Sequence, residues 1–223
     1  MYSEDFLKYE FKNTHPLNQL RIKLHYELLD MLDILNSDNI SIFNPRIASE
    51  EELRLVHTPE YIEKVKNLSL TGEGEIGSND TPPFKGMFEA ASLAVGATLD
   101  AIDKVMTNKV VHAWNPSGGF HHAKKDKASG FCIFNDIAIG IKYAIQKYNV
   151  SRIMYVDIDA HHGDGVQEIF YDTSNVLKIS FHESGKYLFP HSGFTSEIGE
   201  GDGRGYSINI PLPIGTFDEA YIH

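Results

Sequence analysis

The chain has 223 residues, 42% of them hydrophobic and 23% charged, which suits one α/β domain with a substantial core and argues against disorder. A formal net charge of -11 disfavours a nucleic-acid partner, which needs clustered Lys and Arg, and the single cysteine, Cys132, excludes a disulfide framework or a multi-cysteine zinc site. The N-terminus has no basic stretch followed by an apolar one, and no run approaches 18 apolar residues, so a soluble, cytoplasmic protein with no membrane contact is expected.

In chain order, Leu17, Leu20, Leu24, Leu28, Met31, Leu32 and Leu35 recur at helical spacing and predict an amphipathic helix within 15–35. Short helices are expected at 49–57, with Ser49 as N-cap, and after Thr58, where a proline takes the first helical position. Residues 69–83, "SLTGEGEIGSNDTPP", read as a loop, and a helix resumes over 84–106. Beyond it, β-rich runs at 109–114, 151–159, 176–182 and 206–212 alternate with helices at 134–148 and 163–172, the signature of βαβ units and a parallel sheet. Polar clusters directly follow three of these runs, where ligands bind in such sheets: "NPSGGFHHAKKD", "DIDAHHGDG" and "HESGKYLFPH". No repeat or linker divides the chain, so a single domain over 1–223 is expected.

The densest chemistry lies in "YVDIDAHHGDGVQEIF". Asp157, Asp159 and His161 would share one strand face if the extended backbone persisted to 161. Such residues alone could be a satisfied core or capping set. A second tandem, His121 and His122, behind the flexible "SGG" shifts the balance towards a metal site. Zinc accepts His nitrogen and Asp oxygen, and a catalytic zinc typically keeps three protein ligands and one open position. Asp159 and His161 are the chosen ligands, with Asp157 and Asp164 as partners for His121 and His122.

"GGFHHAKKDKASGFCIFND" followed by "YVDIDAHHGDGVQEIF" closely resembles the central motifs of zinc-dependent histone deacetylases and of their prokaryotic relatives, the acetoin utilisation proteins and acetylpolyamine amidohydrolases. The resemblance extends to "HPLNQLRI", "NDTPPFKGMFEAA" and "LFPHSGFTSEIGEGDGRGYSINIPLP", and so covers essentially the whole chain. It implies a three-layer α/β/α arginase/deacetylase fold around a mainly parallel sheet. It implies Asp159 and His161 as zinc ligands, His122 as the proton-transferring histidine with Asp164 behind it, and His121 with Asp157 behind it. It implies Phe131 and Phe189 as the aromatics of an acyl-lysine channel, Gly130 as a backbone position contacting substrate, and Asp80 as a rim carboxylate. A potassium ion next to the zinc would be held through Asp157, Asp159 and His161, with Ser180 and Phe181 in the following strand. The implied reaction is hydrolysis of an N-acetylated amine, acetyl-lysine or a small acetylated amine, to acetate and free amine.

Two elements of that pattern have no match here: a third zinc ligand, an aspartate, and a glycine-flanked tyrosine that stabilises the oxyanion. The sequence ends at "FDEAYIH", so a C-terminally truncated domain with low or no activity by itself is expected. Two other readings stand beside the deacetylase: a manganese ureohydrolase of the same fold, because "DAHHGD" resembles a binuclear manganese motif, and a non-catalytic deacetylase-like binding module. Self-association is left open.

Overall fold

The computed structural model describes residues 1–11 and 15–222; the last residue of the "FDEAYIH" run, His223, lies outside them. The chain divides into two compact units, Met1–Tyr148 and Asn149–His223.

The first unit is helical. It opens with a 3-10 turn, Glu4–Lys8, capped by the Ser3 hydroxyl and burying Phe6. Helix α1, Leu20–Met31, follows. Its leucine stripe does not make the core: Leu20, Leu24, Leu28 and Met31 are 49, 54, 52 and 83% exposed, while Ile22 is buried. Ile22 lies roughly 200° around the helix from Leu20. The inward face is therefore that of Ile22 and Tyr26, whose ring stacks on Tyr2 at 3.8 Å. Helix α2, Glu50–Leu53, starts at Ser49 in a full capping box with Glu52. Helix α3, Pro59–Thr71, is capped by the Thr58 hydroxyl and ends at Gly72 in the left-handed conformation. Helix α4, Met87–Met106, is the central element and buries Met87, Leu93, Ala94, Val95, Ala97 and Leu99. Helix α5, Asp136–Tyr148, buries Ala138, Ile139 and Ile141. Phe6, Ile22, Leu93 and Ala97 form one contiguous apolar cluster.

The run at 109–114 is not a strand. It bends at Lys109 and Val111, no strand pairs with it among the described residues, and Val111 and Trp114 stay 81 and 51% exposed. β propensity alone does not make a strand without a ladder to join.

The second unit holds strands β1, Ile153–Asp157, β2, Val176–Glu183, and β3, Ser207–Leu212, with helix α6, Asp164–Ile169, between β1 and β2, and helix α7, Asp218–Ile222, after β3. The sheet is parallel in the order β1-β2-β3. Asp157 lies opposite Ser180, and Ser180 opposite Asn209, one row across all three strands. Along β2, Val176, Lys178, Ser180 and His182 alternate inward. Lys178 carries its charge into that interior. Its ammonium donates to the Phe170 carbonyl at 2.6 Å, and burial pulls its pKa down to about 8.

Candidate active site

In the second unit, the candidate metal ligands sit on the loop after β1, at the carboxyl end of a parallel strand. The strand stops at Asp157, so Asp157, Asp159 and His161 do not share a strand face as the sequence suggested. Side chains replace the ladder. The Asp159 N–H donates to Asp157 Oδ1 at 3.0 Å, and the His161 N–H donates to Asp159 Oδ1 at 2.8 Å, two successive turns each closed by an aspartate. The Asp157 carboxylate also accepts from the Tyr155 hydroxyl. Asp164 opens α6, and its N–H donates to the His162 carbonyl at 2.8 Å.

These turns bring His161 Nδ1 within 2.9 Å of Asp159 Oδ1. The two side chains remain 40 and 52% exposed. A nitrogen and a carboxylate oxygen converging in this way suit a divalent cation as two of its protein ligands. Among the described residues, no group of three or more His, Cys, Asp or Glu side chains could hold a metal by itself. The donor set therefore fits such an ion in part, with Asp159 and His161 as two candidate ligands.

Phe189 lies beside this pair, its ring centroid 6.2 Å from that of His161. The loop carrying Phe189 is pinned by two imidazoles. His182 Nε2 donates to the Gly193 carbonyl at 2.9 Å, which leaves its Nδ1 to accept from the Ser180 hydroxyl at 2.8 Å. His162 Nδ1 meets the Ser192 hydroxyl at 2.8 Å, and the two rings pack 4.8 Å apart. Burial, and then the neighbouring His182, hold the His162 pKa down to about 4. Gly193 takes φ +82, and a Cβ there would meet His182 Nε2 at 2.4 Å, so only glycine lets the loop close on the rings. The Ser180 hydroxyl is thus engaged with His182, and the Phe181 ring faces Tyr221 at 6.2 Å.

In the first unit, His121 and His122 are 5 and 4% exposed, with ring centroids 4.0 Å apart. The His122 ring lies against Gly130, where a Cβ would come within 2.3 Å of it. Phe131 follows in a left-handed conformation, φ 71, which costs a non-glycine residue on the order of 1–2 kcal/mol. Two hydrogen bonds hold it there: its N–H donates to Thr81 Oγ1 at 2.9 Å, and its carbonyl accepts from the Tyr9 hydroxyl at 2.6 Å. Thr81 in turn donates to the Asp80 carboxylate at 2.8 Å, which also accepts from Ser78, while His15 donates to the Asp80 carbonyl at 2.9 Å. Asp80, Gly130, Phe131 and His122 are therefore brought together by one short network.

Sequence reasoning missed Tyr9, Thr81, Asn135, Asp136, His182 and Ser192. Asn135 precedes helix α5 and Asp136 opens it, positions where such residues bond backbone groups. His182 opens the polar cluster "HESGKYLFPH"; nothing in the pattern marks Tyr9, Thr81 or Ser192.

The histone deacetylase domain family matches residues 15–223 of the chain. The acetoin utilization protein AcuC of Bacillus subtilis (strain 168) is 48% identical over 232 residues, spanning 100% of this chain and 58% of that protein. AcuC of Staphylococcus xylosus is 41% identical, again over 100% of this chain and 59% of its own length. Among solved structures, a histone deacetylase homologue from Aquifex aeolicus superposes with a TM-score of 0.89 at 40% identity, covering 99% of this chain and 60% of that one. A histone deacetylase homologue complexed with SAHA gives 0.85 at 41% identity, covering 95% of this chain and 58% of that one. The chain belongs to the histone deacetylase family and has its fold, a parallel sheet with helices. Within the family it is AcuC-like, and it spans about three-fifths of the length of the relatives it matches.

Proposed function

We propose that this chain carries a large part of the catalytic site of a zinc-dependent deacetylase that hydrolyses acetylated lysine or a small acetylated amine. The observation that carries the reading is the Asp159–His161 donor pair beside Phe189, on a strand-end loop of a chain matched to the deacetylase family over 209 residues, 15 to 223. In this reading Asp159 and His161 bind the ion, and His121 and His122 move the proton, with Asp157 and Asp164 completing the catalytic set. Gly130, Phe131, Phe189 and Asp80 line and grip the substrate. Potassium is proposed at Asp157, Ser180 and Phe181. When bound, zinc supplies Lewis acidity towards the amide carbonyl. The burial of both His121 and His122 supports proton handling away from bulk water. The family match favours this reading over a manganese ureohydrolase.

The test is zinc titration of the chain by calorimetry, beside turnover of a fluorogenic acetyl-lysine substrate. Zinc is expected to bind weakly through the two donors, and Asp159→Ala or His161→Ala should lower the affinity more than about 100-fold. Zinc binding that survives both substitutions would refute the ligand assignment. Turnover dependent on manganese would refute the metal.

A further inference from the structure

The dipeptide Asn135–Asp136 grips the backbone on both sides of the histidine tandem. Both residues are fully buried, at 0 and 1% exposure, at the start of α5. On the N-terminal side, Asp136 Oδ1 accepts from the Phe120 N–H at 2.8 Å and from the Gly119 N–H at 3.1 Å. On the C-terminal side, the Asn135 amide donates to the Ala123 carbonyl at 3.0 Å and to the His121 carbonyl at 3.4 Å. Each gripping residue is itself held. Thr98 donates to Asp136 Oδ2 at 2.6 Å and accepts from Asn115 at 2.9 Å. The Asn135 N–H donates to His57 Nε2 at 3.0 Å, and its side-chain oxygen caps the Ala138 N–H at 2.9 Å.

A helix cap needs only the last of these bonds. Four of the others end on residues 119–123, the five positions that contain His121 and His122. A buried carboxylate is costly unless compensated, burial pushes the Asp136 carboxyl up from its ordinary range, and its backbone and Thr98 donors pull the other way. We infer that Asn135 and Asp136 are positioning residues that set the orientation of the His121 and His122 imidazoles through the backbone of 119–123. The inference rests on the reading of that tandem as the proton-transfer pair, but its geometry does not.

The test is NMR on the 223-residue chain, following the imidazole Cε1–H signals of every histidine and the exchange rates of the Gly119 and Phe120 amides. Asp136→Asn keeps the shape and removes the charge. It should speed exchange at those two amides roughly tenfold or more and shift the ring signals of His121 and His122, leaving His25 and His191 in place. Asp103→Asn is the control, since Asp103 bonds Tyr143, Lys147 and Tyr148 in the same unit; it should lower stability without moving the tandem's rings. Thr98→Val, which cuts the support behind Asp136, should give a smaller shift of the same kind and serves if Asp136→Asn does not fold. Ring signals that stay put while the amides loosen would overturn the inference, as would an equal shift in Asp103→Asn. The readout needs neither metal nor turnover. Inactive histidines would refute the functional reading and leave the positioning intact.

Discussion

The His121–His122 tandem of the first unit and the Asp159–His161 pair of the second are exposed to opposite degrees. In the first, His121 and His122 are buried at 5 and 4%, and among the described residues every one of the largest fully buried side chains except Phe170 belongs to that unit. In the second, Asp159 and His161 keep 52 and 40% of their side chains exposed on a loop held by aspartate turns. The difference suits the roles proposed for them. A proton-transfer pair works best where water is excluded and the rings are fixed, whereas metal donors must stay reachable by an ion and need only converge.

The largest effect that would sharpen this contrast is on packing. Phe134→Ala, in the closed core of the first unit, should cost about 3–5 kcal/mol, whereas Met154→Ala, 62% exposed on β1, should stay within about 0.5 kcal/mol. Urea unfolding of the two variants checks it, and equal losses would break the comparison.

The next is a pH effect in the first unit, read by comparison with a His57 variant. His57 is buried, accepts from the Asn135 N–H through Nε2, and burial holds its pKa down to about 4 from an ordinary 6.5. Its folded value lies below its unfolded one, so the neutral ring's contribution is present above about pH 6.5 and is lost as pH falls towards 4, at most roughly 3 kcal/mol. The urea midpoint of the wild type should therefore fall more between pH 7.5 and 5 than that of His57→Gln. Parallel curves would remove His57 as the cause.

The smallest concerns the loop of Phe189. Ser192→Ala removes the hydroxyl facing His162 Nδ1 and should cost about 1 kcal/mol, read as a lower melting temperature together with faster amide exchange around Gly193. Unchanged exchange there would mean that the imidazole pair does not pin the loop.

Much of the local structure was legible. Ser49 and Thr58 cap helices, the parallel strands at 153–157, 176–183 and 207–212 lie within or close to the β-rich runs, and two of the three polar clusters lie at strand ends. The misreadings share one cause. The leucine stripe of α1 and the β-rich run at 109–114 both have the right pattern, but a pattern states what a segment can bury or pair with, and the partner is supplied elsewhere. The strand-face argument for Asp157, Asp159 and His161 assumed the wrong backbone, because aspartate side chains compete with the ladder for N–H groups, and Asp159 and His161 meet through turns instead.

The sequence by itself determined the family, the two histidine tandems and the carboxylates around them, because each motif is contiguous and its chemistry is carried by residue type. Tertiary structure alone decided which groups orient which. That Thr81 bridges Asp80 to Phe131, that His182 and His162 close on Gly193, and that Asn135 and Asp136 hold the backbone of 119–123 depends on hydrogen bonds between residues as far as 50 positions apart, whose specificity lies in geometry that no local pattern records.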